Sequence, residues 1–228
     1  MFAIAKYEFW QLMKSVKSII IIILLLLSSY YVAKNGQLLA GFFQLNTEES
    51  SKIYTIGISF LLIAFGQLFV VALSHDVINR EGASRTMRFL ITRTSHERIF
   101  FGKFFGVVAF WGVCLTISFI VITFFAKSFD SLVFSQLICL LIFYIALVFA
   151  LSVVITRPMM SMFLGIVIGL ALPIFYLYIE ATEKWWSFLK YISPIHYLVK
   201  DDWSIFILLV EGMLIIIATL WLFKRREY

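Results

Sequence analysis

Few side chains in this 228-residue sequence could do chemistry, and none stands in a catalytic arrangement. His75, His96 and His196 have no Cys, Asp or Glu at metal-ligand spacing, and no H-E-x-x-H helix occurs. The nearest approach to a phosphate-binding loop runs from Glu97 to Phe104. It has Gly102 and Lys103 but fails the pattern at Glu97 and at Phe104. Glu48 and Glu49 form an acidic pair without a His-bearing helix to complete a protease, and no G-x-S-x-G elbow exists. Cys114 and Cys139 fall inside long apolar runs, where a thiol behaves as a small apolar side chain. The chain is therefore expected not to be an enzyme, and to bind neither metal nor cofactor.

One acidic residue is out of place. Apart from Lys17 at the edge of the first, Glu211 is the only formal charge inside the apolar stretches, nine residues into the last of them. A carboxylate near the centre of a bilayer costs about 2.5 to 3.5 kcal/mol on insertion scales. It is a candidate for a transport pathway or for a hydrogen-bonded packing position. Gln67 and Gln136 are the other candidate pathway or packing residues, able to bridge helices.

The elements that must position these residues follow from composition. Hydrophobic residues make up 62% of the chain and charged residues 14%, and the mean hydropathy is +0.99. Soluble domains carry about 25% charged residues, and a body of this size has too little interior to hide so much apolar surface. Crossing a hydrocarbon core of about 30 Å takes about 20 apolar residues. Six windows qualify, at about 16–33, 53–74, 104–126, 132–155, 159–179 and 203–223. The expected fold is an all-α polytopic membrane protein, a single six-span domain over residues 1–228. The longest piece between windows, 75–103, has 29 residues, too few for a soluble unit that folds unaided. Any ATP-hydrolysing domain is expected on another chain.

Charge gives the orientation. All eight Arg, and 13 of the 19 Lys and Arg together, fall on the side of the membrane that holds the N-terminus. Basic residues near span ends are retained in the cytoplasm, so both termini are expected inside. The net charge of +6 is on this reading a topology signal, and no nucleic-acid partner is expected.

Three segments outside the spans carry information. Residues 1–15 form an amphipathic elbow helix, with Phe2, Ala5, Phe9, Leu12, Met13 and Val16 on one face. Lys6, Glu8, Gln11, Lys14 and Lys17 fill most of the opposite arc, and Ile4 and Trp10 break the pattern. The inner loop 75–103 holds five of the eight Arg, and a short half-apolar helix near Arg85 to Ile91 has no stability of its own. It suits a surface that a partner covers. Thr94 and Glu97 form a T-x-x-E capping box that starts the third helix near Ser95. In the outer segment 180–202, Trp185, Leu189, Ile192 and His196 recur at helical steps until Pro194 breaks the helix. That segment reads as an aromatic interfacial anchor or as a gate. Gly102 with Gly106, and Gly165 with Gly169, provide small faces for close helix approach.

These features in this order resemble a permease subunit of the type-2 ABC exporters. The residues that carry the likeness are Ile4-Ala5-Lys6-Tyr7-Glu8-Phe9 with Lys14 ahead of the first span, and Arg80-Glu81-Gly82 through Arg88-Phe89-Leu90 in the inner loop. Arg98 to Gly102-Lys103 and Ser193-Pro194-Ile195-His196-Tyr197-Leu198 complete it. Glu81 and Lys103 match the family's loop pattern, while Ser84 to Thr86 and Ser95-His96 depart from its usual G-T and S-R. The resemblance implies a permease in the cytoplasmic membrane, paired with a second copy or a related permease. Two cytoplasmic ABC ATPase subunits would supply the ATP and magnesium chemistry. It also implies docking of the ATPase on the inner loop, for which Glu81, Arg85, Arg88 and Phe89 are the expected contacts. The cargo class is hydrophobic or amphipathic, with peptide, toxin or antibiotic favoured. The alternative is a non-enzymatic membrane scaffold or immunity-type binding protein that needs no ATPase.

Overall fold

A computed structural model of the chain describes residues 1–36, 38, 47–83, 86–87, 92–182, 190–191, 193–199 and 203–225. Every regular element among them is helical: α1 (Phe2–Met13), α2 (Val16–Lys34), α3 (Thr47–Ser74), α4 (Asn79–Ala83), α5 (His96–Ala126), α6 (Ser131–Val154), α7 (Pro158–Thr182), α8 (Pro194–Val199), the 3-10 turn Trp203–Phe206, and α9 (Ile207–Arg225). Six of these helices, α2, α3, α5, α6, α7 and α9, are long and apolar enough to cross a membrane. The protein is an all-α, multi-pass membrane protein.

Local chemistry sets the boundaries. Ser15, with ψ at 133°, separates α1 from α2. Asp130 caps α6 by accepting a hydrogen bond from the Val133 amide at 3.1 Å. Lys127 takes a left-handed conformation at the end of α5, which leaves three residues to turn the chain into α6. At 31 residues α5 is about 46 Å long, more than the hydrocarbon core of a bilayer needs. Its first two turns, which carry Glu97 and Arg98, stand ahead of the apolar stretch.

α6 is the centre of the bundle, with 67% of its most apolar stretch buried, whereas α7 has 22%. α3, α5 and α9 pack around α6. The outer faces of α5, α7 and α9 present Phe124, Phe163, Ile174, Val210 and Ile217, as a surface against lipid does and a surface against water does not. Alternating helix directions bring Arg80, Arg93, Arg98, Arg157 and Arg225 to one end, together with α1 and α4.

Both small-residue faces are used. A Cβ on Gly106 would stand 2.8 Å from the Ala5 carbonyl oxygen, and one on Gly102 would stand 2.9 Å from Ile4 Cβ, so α1 lies directly against α5. Gly165 and Gly169 admit Val71 and Leu68 of α3 in the same way. In a bilayer, where burial from water does not drive helix association, such close backbone approach supplies the packing.

Two expectations are corrected here. Thr94 does not cap α5; Ser95 occupies the cap position, and Glu97 pairs instead with Lys224 at the end of α9. Pro194 opens α8, since the first helical position needs no amide hydrogen, and the helix expected ahead of it at Trp185, Leu189 and Ile192 falls outside the described residues. The apolar face of α1 is rotated from the expected one. Ile4 packs on the core while Phe2 and Val16 are exposed, because the Gly102 and Gly106 notch of α5 selects the face that docks.

That notch is testable by thermal unfolding in a single detergent. Gly106→Ala should lower stability by about 1 to 3 kcal/mol, because its methyl meets backbone. Gly112→Ala, where a Cβ meets nothing within 4 Å, should cost nothing.

Candidate functional site

The notch sets a carboxylate beside an ammonium. Glu8 lies one turn beyond Ile4 on α1, and Lys103 lies between Gly102 and Phe104 on α5, so docking α1 brings the two together. Lys103 Nζ is 2.5 Å from Glu8 Oε1, 2.6 Å from Glu81 Oε1 and 2.9 Å from the Val77 carbonyl oxygen. An ammonium has three donors, and here all three have an acceptor. Lys103 is 1% exposed and Glu8 2%. Arg80 completes the group, with Nη2 donating to Gln11 Oε1 at 3.2 Å and lying 3.6 Å from Glu8 Oε2. Two acids and two bases cancel in formal charge.

The turn that contributes Val77 is held from other sides too. Ser152 Oγ of α6 accepts from the Ile78 and Asn79 amides at 3.2 and 3.4 Å. Ser161 of α7 donates to the His75 carbonyl at 3.0 Å, and His75 Nδ1 lies 2.9 Å from the Val71 carbonyl. Met87 is fully buried, and the Thr86 hydroxyl donates to the Glu81 carbonyl at 3.4 Å. The segment from His75 to Ala83 is therefore clamped by α1, α5, α6 and α7 together. Beside the cluster opens a crevice of about 160 Å³, lined in part by Glu8, Gln11, Lys17, Asp76 and Arg80.

Of the residues expected to dock a partner, Glu81 turns inward and pairs with Lys103. Arg85, Arg88 and Phe89 lie outside the described residues, as do Trp185, Leu189 and Ile192 of the outer segment. The candidate pathway residues do not meet at this cluster. Gln67 is buried on α3 next to Gly169, and its amide makes no hydrogen bond among the described residues, so it does not bridge helices as expected. Gln136 is buried on α6, and Glu211 is half-buried on α9. Outside the spans, Tyr197 donates its hydroxyl to the Tyr191 carbonyl at 2.8 Å. Burial first, and then the charge of Glu211, push its phenol above the usual range. The His196 ring stands among Tyr176, Tyr191 and Tyr197.

At the Arg-rich end a second pair closes the bundle. Lys224 bonds Glu97 in an exposed position, and nearby the ring of Phe100 meets Phe149 edge to face and Phe223 at a tilt. Among the described residues no three His, Cys, Asp or Glu side chains converge to hold a metal ion.

Glu8 and Lys103 were not read as a pair from sequence. Helical-wheel arithmetic puts Glu8 on the polar arc, opposite the face that seemed to dock. The available signal was Lys103 itself, a lone cation flanked by Gly102 and by Phe104 and Phe105 in an apolar helix, which needs buried acceptors.

What the cluster does is mechanical. A buried ion pair contributes little net stability but tolerates only the arrangement that satisfies every charge. It therefore fixes α1, the turn before α4 and the start of α5 as one unit. No protein-family model matches the chain, and no curated protein matches it.

Lys103→Met leaves two carboxylates against the single cation of Arg80 and should lower stability by about 3 to 5 kcal/mol in thermal unfolding. The double variant Lys103→Met, Glu81→Gln leaves Glu8 balanced by Arg80 and should regain most of the loss.

Proposed function

We propose that this chain is the permease subunit of an ATP-driven exporter of the type-2 ABC class. On this reading it lies in the cytoplasmic membrane with both termini inside and works as a pair of permeases. ATP and magnesium are handled by a separate cytoplasmic ATPase, present in two copies. The observation that carries the reading is the junction at Lys103. A clamped segment runs from it straight into the basic inner loop, and it holds the N-terminal helix and the third span at the same point. A partner that pulled on the loop would move these elements together, as a transporter driven from outside the membrane requires.

The cargo follows from the surfaces available. Glu211 is the only formal charge in the middle of a span, the other charges of the spanning helices lie toward their ends, and the two Gln side chains are too few to line a continuous aqueous path. A hydrophobic or amphipathic molecule, with peptide, toxin or antibiotic favoured, fits such a path. The chain has no motif for hydrolysis, so its part is to bind, to tilt and to release.

Affinity purification of the tagged chain from native membranes should recover a nucleotide-binding ATPase chain without spans of its own. Reversing two loop charges, with Arg85→Glu and Arg88→Glu, should lower that recovery at least about tenfold while leaving the amount of permease in the membrane unchanged. Recovery undiminished by the double reversal would overturn docking through the loop.

A further inference from the structure

The end of the bundle away from the Arg-rich loop holds a recess of about 320 Å³ between α3, α5 and α6. Lys103 and Thr123 are 20 residues apart on one helix, which separates the recess from the ion cluster by about 30 Å. Its walls combine aromatic rings, hydroxyls and a carboxylate, from Tyr54, Phe119, Thr123, Ser128, Phe129 and Asp130 among others. Asp130 is the only formal charge among the residues that line it.

The recess is a built feature. Gly36 makes room for Tyr54, whose ring would lie 2.6 Å from a Cβ there, so the ring is held against the chain just after α2. Phe119 is buried, and its ring meets Phe129 and Phe134 with centroids 5.9 and 5.0 Å away. The start of α6, which alone would favour an anion, already has its Val133 amide bonded to Asp130 Oδ1. That leaves a carboxylate with no other partner among the described residues, set among aromatic rings and hydroxyls. Such an arrangement attracts an organic cation, through charge and through cation–π contact, more than it attracts any neutral or anionic group. The volume is at the lower end for a small-molecule site and suits a head group better than a whole amphiphile.

We infer that this recess binds an organic ammonium group, with Asp130 as counter-ion and Phe119, Phe129 and Tyr54 as its aromatic walls. The inference is independent of the export reading, since it concerns binding by this chain alone. The ammonium belongs either to a lipid head group or to a free amine compound, and both share this chemistry.

Equilibrium dialysis of radiolabelled choline against the full chain in phosphatidylglycerol nanodiscs, with empty discs subtracted, tests it. Saturable binding is expected. Asp130→Asn should weaken it at least about tenfold, and because Asn caps a helix as well as Asp the thermal stability should not change. Phe119→Leu should weaken binding severalfold while keeping an apolar wall, and it decides the matter should Asp130→Asn prove unstable. Glu97→Gln, which removes a carboxylate at the far end, should leave binding intact. Discs containing phosphatidylethanolamine should compete if the source is a lipid head group and should not compete if it is a free amine; either result supports the site. Absence of saturable choline binding, or a stable Asp130→Asn variant that binds as well as the parent, would overturn it.

Discussion

A single ammonium group, that of Lys103, constrains more of this protein than any other side chain. It sits 1% exposed in an apolar bundle, and such a charge persists only if every donor is met. Its acceptors come from three separate stretches of chain, namely Glu8 on α1, Val77 in the turn after α3, and Glu81 on α4. Each demand propagates. For Glu8 to arrive, α1 must lie against α5 within backbone distance, and the glycines at 102 and 106 exist at the point where that happens. For α1 to turn back from α2, the chain must leave the helix at Ser15. For Val77 to offer its carbonyl, α3 must stop near Ser74, and the Ser152 hydroxyl then satisfies the amides of Ile78 and Asn79 that the stop exposes.

The two ends of the bundle are thus built on different principles. At the Arg-rich end, charges and hydroxyls are paired across helices, from Glu8 with Lys103 to Ser161 with His75 and Lys224 with Glu97. Long-range order there depends on polar groups that have one acceptable geometry. At the other end the contacts are mostly ring against ring, as in Tyr30 with Phe125 and Phe119 with Phe134, and such packing admits small shifts more readily. An element moved at the first end would move as a body, while the second end could yield locally.

The six spans were legible because hydropathy over about 20 residues is a property of the segment alone. Their ends were less so. A window average starts the third span at Phe104, whereas α5 begins at His96, as the expected start near Ser95 has it, and its first two turns are held by Phe100, by Phe223 and by Lys224. The small faces at Gly102 and Gly165 were visible as patterns, but which helix each receives was not. The cluster was the least legible part. Its members lie as much as 95 residues apart, and every one has a plausible solvated reading when taken singly. Glu8 looks like a surface residue until Gly106 is known to admit the helix on that side. Buried polar pairing is non-local by nature, so a single sequence shows its ingredients and not their meeting.

Among the six spans, α7 is the least embedded, with 22% of its apolar stretch buried against 67% for α6. Its hold on the bundle is narrow. Gly165 and Gly169 seat it on α3, and Ser161 ties its first turn to the His75 carbonyl. The remaining face, from Met159 through Phe163, Val167 and Ile174, has no packing to lose. Displacing α6 would disrupt its packing against α3, α5 and α9 at once, whereas α7 packs mainly against α3, with smaller contacts to α6, α4 and α8. The Ser161 bond ends on the turn next to Val77, where Lys103 is anchored. A displacement of the clamped turn would be passed to α7 through Ser161 as it is to α6 through Ser152, and of the two α7 is the span that can follow it at the lower cost in buried contacts.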